Sequence, residues 1–227
     1  MVLCDDIEKL VKESGLYPYE RWQLNEFPPE LHAYCGRGLG LWQYPNQFSA
    51  YLDFLLTRFP STRTYAEIGV AAGGTFMFTT NFLRKYGHLQ KSYAVDVAEP
   101  GRALGSNGPS PYDNLLADYL KTNQDICIFL KGTSHTLRSL LLSSNTTLDV
   151  AFIDGDHSYS GVQQDYENLK DLARVLVFHD IASDVCPGVK QFWKEIVATH
   201  KYETHEFTQQ YNQPSGSFLG IGVAIRL

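Results

Sequence analysis

Short, mostly apolar runs alternate along this chain with stretches in which apolar residues recur every three to four positions, the patterns of buried strands and amphipathic helices. The runs fall at about Thr64–Ile68, Ser92–Val97, Asp125–Leu130, Leu148–Asp154 and Val175–His179. Between and before them, Phe48, Tyr51, Leu52, Leu55 and Leu56 share one helical face and predict a helix from about Phe48 to Phe59, stopped by Pro60. Further helices are predicted from the glycine turn after Ile68 to about Leu83, over Leu115–Thr122, over Ser160–Leu172 and over Gly188–Val197, the last with Trp193 in the core. Ile7, Leu10 and Val11 mark a short helix at the start, and His205–Phe207 with Phe218–Ile225 read as a closing antiparallel hairpin. Strands taking turns with helices predict an α/β fold with a doubly wound sheet, mostly parallel, ending in an antiparallel hairpin strand.

Composition narrows the function classes. With 227 residues, 44% of them hydrophobic, the chain can bury one substantial α/β core. A net charge of −6 and no dense basic run argue against a nucleic-acid substrate. Cys4, Cys35, Cys127 and Cys186 are scattered without a C-x-x-C pair, which argues against structural zinc and for a reducing compartment. No apolar run approaches the roughly 20 residues of a membrane span, and a start carrying Asp5, Asp6 and Glu8 is not a secretory leader. The expectation is a soluble, cytoplasmic protein. Residues 38–227 are read as one domain and residues 1–37 as an N-terminal arm or lid, because Tyr17, Tyr19, Trp22 and Phe27 are too many aromatics to stay solvated. The Gly/Pro/Ser-rich residues 99–112 read as a long loop covering a site, and the polar residues 209–215 as a border of a substrate pocket.

The stretch from Thr64 to Phe78 holds the first chemistry. A strand, a turn from Gly69 to Gly74 and a helix make a ligand loop, with glycines where a sharply turning backbone lets a ligand approach. The spacing matches neither the dinucleotide fingerprint nor the P-loop. Instead Glu67 stands two residues before Gly69, a carboxylate that would repel a pyrophosphate and suits a cation. Glu67-x-Gly69-x-x-x-Gly73-Gly74 resembles motif I of class I methyltransferases, whose donor, S-adenosylmethionine, carries an ammonium and a sulfonium. The resemblance implies a donor site of Glu67, Gly69, Gly73, Gly74 and Thr75. Asp96, with Val97 beyond it, ends the second strand, where a carboxylate can accept from ribose hydroxyls or simply form a turn. Ser134 follows the third strand, where methyltransferases contact adenine; its other reading is a helix N-cap. Gln43 and Gln47 lie upstream of the loop, either folded over the cofactor or forming a helix-entry turn.

The second informative stretch runs from Leu148 to Tyr159. Its strand delivers Asp154, Asp156 and His157 to the carboxyl edge of the sheet, where open α/β folds bind ligands, and the fifth strand ends likewise in His179-Asp180. Carboxylates crowded together raise each other's proton affinity unless a cation holds them, and an oxygen-rich set with one imidazole suits Mg²⁺ or Mn²⁺. Together with Glu67-x-Gly69 and Asp96, the Phe-Ile-Asp-Gly-Asp-His-Ser-Tyr box and Phe-His-Asp-Ile resemble the type 24 class I methyltransferases, similar in layout to metal-dependent catechol and antibiotic-sugar O-methyltransferases. The resemblance covers about residues 38–227 and implies a Rossmann-like fold. It implies metal ligands Asp154, His179 and Asp180, with His157 as general base. His179 stands where relatives carry a carboxylate, so Asp156 is the alternative ligand, and an orienting role toward Asp154 is the alternative for His157. Gln43 and Tyr159 are assigned to the acceptor side.

The expected activity is methyl transfer from S-adenosylmethionine to a hydroxyl of a sugar or glycan with divalent-metal assistance. A phenol or catechol acceptor is the alternative, a metal-dependent phosphoesterase and a non-catalytic binding module are the rivals, and a homodimer stays open.

Overall fold

The computed structural model describes residues 4–15, 31–32, 39–100, 114–211 and 216–227. In chain order the elements are α1 (Cys4–Ser14), α2 (Pro45–Arg58), β1 (Thr64–Ile68), α3 (Gly74–Tyr86), β2 (Lys91–Asp96), α4 (Leu115–Thr122) and β3 (Cys127–Lys131). They continue with α5 (Ser134–Ser143), β4 (Leu148–Ile153), α6 (Tyr159–Leu169), β5 (Ala173–His179), α7 (Pro187–Ala198), β6 (Tyr202–Phe207) and β7 (Ile221–Arg226). Among the described residues the strands form one sheet in the order β3-β2-β1-β4-β5-β7-β6. The pairs from β3 to β5 are parallel, and β7 runs antiparallel to both β5 and β6. This is the expected Rossmann-like sheet.

Strand residues alternate between its faces. Tyr65, Val150, Phe152, Val175 and Val177 pack toward α1, α2, α3 and α4. Ala66, Ile68, Ala151, Ile153, Leu176 and Phe178 pack toward α5, α6 and α7, where Trp193 is buried. Both faces of the central strands are therefore covered, which is why they read as mostly apolar runs. Ile7 and Val11 of α1 are wholly buried in the first cluster, and the aromatics at 17–29 lie outside the described residues. No described helix is long and apolar enough to cross a membrane.

Local chemistry moves several boundaries. α2 starts at Pro45, whose fixed φ suits the first helical turn. α3 continues past Leu83 to Tyr86 and stops before Gly87. Thr133, not Ser134, caps α5, its Oγ1 accepting from the His135 N–H at 3.3 Å. Ser158 caps α6 one residue earlier than expected, accepting from the Gly161 N–H at 3.1 Å. β7 cannot begin at Phe218, because Leu219 (φ 54°) and Gly220 (φ 102°) are in the left-handed region.

Candidate active site

Register decides what meets at the carboxyl edge. Ile68 of β1 pairs with Val95 of β2 and Ile153 of β4, and Ile153 pairs with Phe178 of β5. The residues that end these strands or directly follow them (Gly69, Asp96, Asp154, His179 and Asp180) thus gather on one rim. All of these except His179, which lies buried behind Asp154, border a cavity of about 1060 Å³, lined among others by Gly69, Ala71, Asp96, Val97, Ser134, Asp154, Asp156, His157 and Asp180.

One half of the cavity is built around Asp96. Its Oδ2 accepts from the Ala71 N–H and its Oδ1 from the Ala98 N–H, each at 2.8 Å, so the carboxylate ties the glycine turn to the end of β2. Gly69 has φ 84°, and a Cβ there would lie 2.0 Å from the Asp154 carbonyl oxygen. Ser134 also lines the cavity, its Oγ accepting from Asn168 Nδ2 at 2.8 Å. Asp165, beside it, has its carboxyl raised by burial, with a bond to Ser134 opposing. A cavity lined by the Asp96 carboxylate and by the Ser134 hydroxyl and Asn168 amide offers polar groups that fit an adenosine.

The other half is charged. Asp154 Oδ1 lies 3.0 Å from His179 Nδ1 and 3.3 Å from His157 Nε2. Asp180 Oδ2 lies 3.6 Å from His157 Nε2 and accepts from the Cys186 thiol at 3.2 Å. Burial works to raise the Asp154 pKa, yet the charge of His179 and hydrogen bonds from both histidines bring it below the ordinary carboxylate value. The bond to Asp154, helped by the Cys186 thiol, pushes His157 up to about 11. Asp180 Oδ1 and His179 Nε2 are buried and have no hydrogen-bond partner among the described residues. Asp180 also adopts φ 63°, a backbone state that costs an ordinary residue of order 1 kcal/mol.

Asp154, His179 and Asp180 can each offer one ligand atom, all within 4.8 Å of one another. Two carboxylates, an imidazole and a buried, unpaired carboxylate oxygen fit a hard or borderline divalent ion.

Several expected site residues lie elsewhere. Glu67 is buried behind the rim, accepting from the Tyr65 hydroxyl at 2.6 Å. Gly73 and Gly74 make room for the chain itself: a Cβ on the first would meet the Leu116 side chain, and on the second the Leu39 and Gly40 backbone. Thr75 is covered by Gln43, whose Nε2 donates to its Oγ1 at 3.3 Å. Gln47 holds the Gly220 N–H and the Phe218 carbonyl instead of reaching toward the donor. Tyr159 donates to Glu195 Oε2 at 2.6 Å and stacks edge-on with Phe192, clasping α6 to α7. Asp156 borders the cavity but accepts from the Ser158 N–H at 2.8 Å, shaping the entry to α6 outside the Asp154–His179–Asp180 group.

Sequence reasoning missed Trp42, Gln164, Asp165, Asn168 and Cys186. The polar pair Asp165 and Asn168, three residues apart on the buried face of α6 with Val162 and Leu169, was a usable signal. Cys186 gave none, since only the fold brings it beside Asp180.

The family model for a methyltransferase domain, type 24, matches residues 66–181, just over half of the chain, and spans every rim residue from Gly69 to Asp180. The chain belongs to this family: it is a class I, S-adenosylmethionine-dependent methyltransferase. No curated protein sequence matches it. Among solved structures it is similar to an O-methyltransferase from Bacillus cereus in complex with S-adenosylhomocysteine (17% identity, 78% of this chain and 79% of that one, TM-score 0.51). It is similar also to TomG, an O-methyltransferase from Streptomyces achromogenes involved in tomaymycin synthesis, in complex with S-adenosylmethionine (16%, 78% of both chains, TM-score 0.53). An rRNA methylase from Streptococcus thermophilus superposes comparably (13%, 80% and 96%, TM-score 0.55). Identities this low carry the fold and leave the acceptor to the site itself.

Proposed function

We propose that this methyltransferase transfers its methyl group to a hydroxyl oxygen of a sugar or glycan, with His157 as general base and a divalent metal at Asp154, His179 and Asp180. The observation that carries the reading is the meeting of these four side chains beside the Asp96 half of one cavity. The donor supplies an electrophilic methyl on a sulfonium, and the metal, when bound, supplies a Lewis acid that lowers the pKa of a coordinated hydroxyl. Asp96 holds the ribose, Ser134 and Asn168 the adenine end, and Gly69 keeps the backbone low enough for the donor to lie along the rim. His157, half exposed with Nε2 between Asp154 and Asp180, is the group placed to take the hydroxyl proton at that nitrogen once a divalent ion held by Asp154 and Asp180 offsets the carboxylate charge that otherwise keeps the imidazole protonated. Alignment of donor and acceptor by these fixed strand ends supplies much of the acceleration.

The acceptor class rests on two supports. Vicinal hydroxyls can chelate a divalent ion, and a cavity lined by Asp96, Asp154, Asp156, Asp165 and Asp180 repels a phosphate backbone. Calorimetry with S-adenosylhomocysteine and transfer of labelled methyl to a panel of sugars, phenols and RNA tests the reading. Binding weakened at least ~10-fold by Asp96→Ala, about 1.4 kcal/mol, and chelator-sensitive labelling of sugars are expected. Labelling of RNA alone, or full turnover in chelator, overturns the acceptor or the metal respectively.

A further inference from the structure

Beside the charged half of the cavity, Cys186, which the proposed methyl transfer does not use, joins His157 and Asp180 in a second set of potential ligands. We propose that His157, Asp180 and Cys186 form a separate binding site for a borderline, thiolate-accepting divalent ion such as Zn²⁺ or Co²⁺. Their ligand atoms all lie within 4.8 Å of one another. Cys186 Sγ is 3.4 Å from His157 Nδ1 and 3.2 Å from Asp180 Oδ2, and His157 Nε2 is 3.6 Å from the same Oδ2. A tetrahedral ion with bonds of about 2.3 Å to sulfur and about 2.0–2.2 Å to nitrogen and oxygen spaces its ligands roughly 3.3–3.6 Å apart. The Cys186 Sγ–Oδ2 separation is close to such an edge, and because the ring faces sulfur with Nδ1 and the carboxylate with Nε2, a small turn of the imidazole about its side-chain bonds would bring one nitrogen to both.

The ligand set is distinct from Asp154–His179–Asp180 in both membership and chemistry. Asp180 is common to the two and can serve them with different oxygens. Oδ2 faces Cys186 and His157, while Oδ1 lies 3.8 Å from His179 Nδ1 and has no hydrogen-bond partner among the described residues. A thiolate in place of a second carboxylate turns the preference from Mg²⁺ toward Zn²⁺ and Co²⁺. His157 and Asp180 line the cavity, so a fourth position opens toward it, as at sites with three protein ligands. On binding, Cys186 releases its thiol proton to solvent as the metal–sulfur bond forms. The scattered cysteines offered no paired zinc motif, and this site needs none, since it takes one cysteine at the start of α7 and two residues that follow β4 and β5. A further consequence rests on the role given above to His157: an imidazole held by a metal cannot accept a proton, so Zn²⁺ at this site inhibits transfer.

Titration of the full chain with Co²⁺ tests the site independently of any activity. One equivalent is expected to produce a thiolate-to-cobalt charge-transfer band in the near ultraviolet with the visible bands of a tetrahedral ion. The band is expected to vanish in Cys186→Ser, to need at least ~10-fold more metal in His157→Ala, and to persist in Asp154→Asn. No thiolate band in the wild type, or a band surviving Cys186→Ser, overturns the proposal. If Cys186→Ser fails to fold, the half-exposed His157→Ala decides alone, and an unchanged titration there overturns it too. In transfer assays Zn²⁺ is expected to inhibit the wild type at least ~10-fold more strongly than Cys186→Ser. Absence of any transfer activity would refute the assigned reaction while leaving the cobalt spectrum to judge the metal site.

Discussion

At Gly69 the fold and the site demand the same atom's absence. With φ 84° and an added Cβ only 2.0 Å from the Asp154 carbonyl oxygen, Gly69→Ala forces two backbone segments apart. Gly73 has almost the same φ, 85°, but its obstacle is the Leu116 side chain, which can move. Urea denaturation is expected to show Gly69→Ala destabilised by about 3 kcal/mol or more and Gly73→Ala by about 1–2 kcal/mol. Equal losses would mean that φ strain alone matters at both.

Glu67 poses an electrostatic question. Burial raises its pKa well above the ordinary carboxylate range, the Tyr65 hydroxyl opposes this, and Asp154 and Asp96 add to it. The folded protein thus binds a proton that the unfolded chain releases above about pH 4.3. Stability from this group is fully present below that pH and is lost as pH rises through the folded value. Glu67→Gln keeps an acceptor for Tyr65 without the charge. Its Tm is expected to match wild type near pH 4 and exceed it by several degrees at pH 8, about 2–4 °C per kcal/mol. Parallel pH–Tm curves would show that Glu67 is not the titrating group.

At the scale of elements, the antiparallel end of the sheet depends on one close contact. A Cβ on Gly222 of β7 would lie 2.8 Å from the indole of Trp193 on α7. That indole is itself fixed by Phe178 and by donation to Glu206 of β6 at 2.6 Å. Gly222→Ala is expected to cost about 1–3 kcal/mol by overpacking and to shift tryptophan fluorescence, which a merely local strain in β7 would leave unmoved. The same elements show how far sequence carries. Strands buried on both faces announced themselves as apolar runs, and their ends placed Asp96, Asp154, His157 and Asp180 correctly on one rim. Side-chain direction was not legible. Glu67 follows the period of Tyr65 to the face behind the rim, and Tyr159 turns toward α7 because Glu195 and Phe192 meet it there. Asp165 and Asn168 reach the cavity, and Cys186 reaches Asp180, only through packing of α6 and α7, and for Cys186 no local pattern signals it.

For the molecule as a whole, the strand order divides labour. β1, β2 and β3 present the Asp96 half, β5 presents His179 and Asp180, and β4 stands between β1 and β5 with Asp154 at its tip. Ligands binding the two halves should therefore stabilise separately but not independently. S-adenosylhomocysteine at about 100 times its Kd contributes about 2.7 kcal/mol to the folded state, and Mn²⁺ is expected to add its own Tm increment, removed by chelator. Asp96→Ala should cut the first increment to about half or less and spare the second, and Asp180→Asn should remove the second and spare the first. Because Asp154 borders both, the two ligands together are expected to raise Tm by more than the sum of their separate effects, a coupling that Asp154→Asn reduces. Loss of both increments in either single variant would mean that the rim folds as one cooperative unit, with donor and metal halves inseparable.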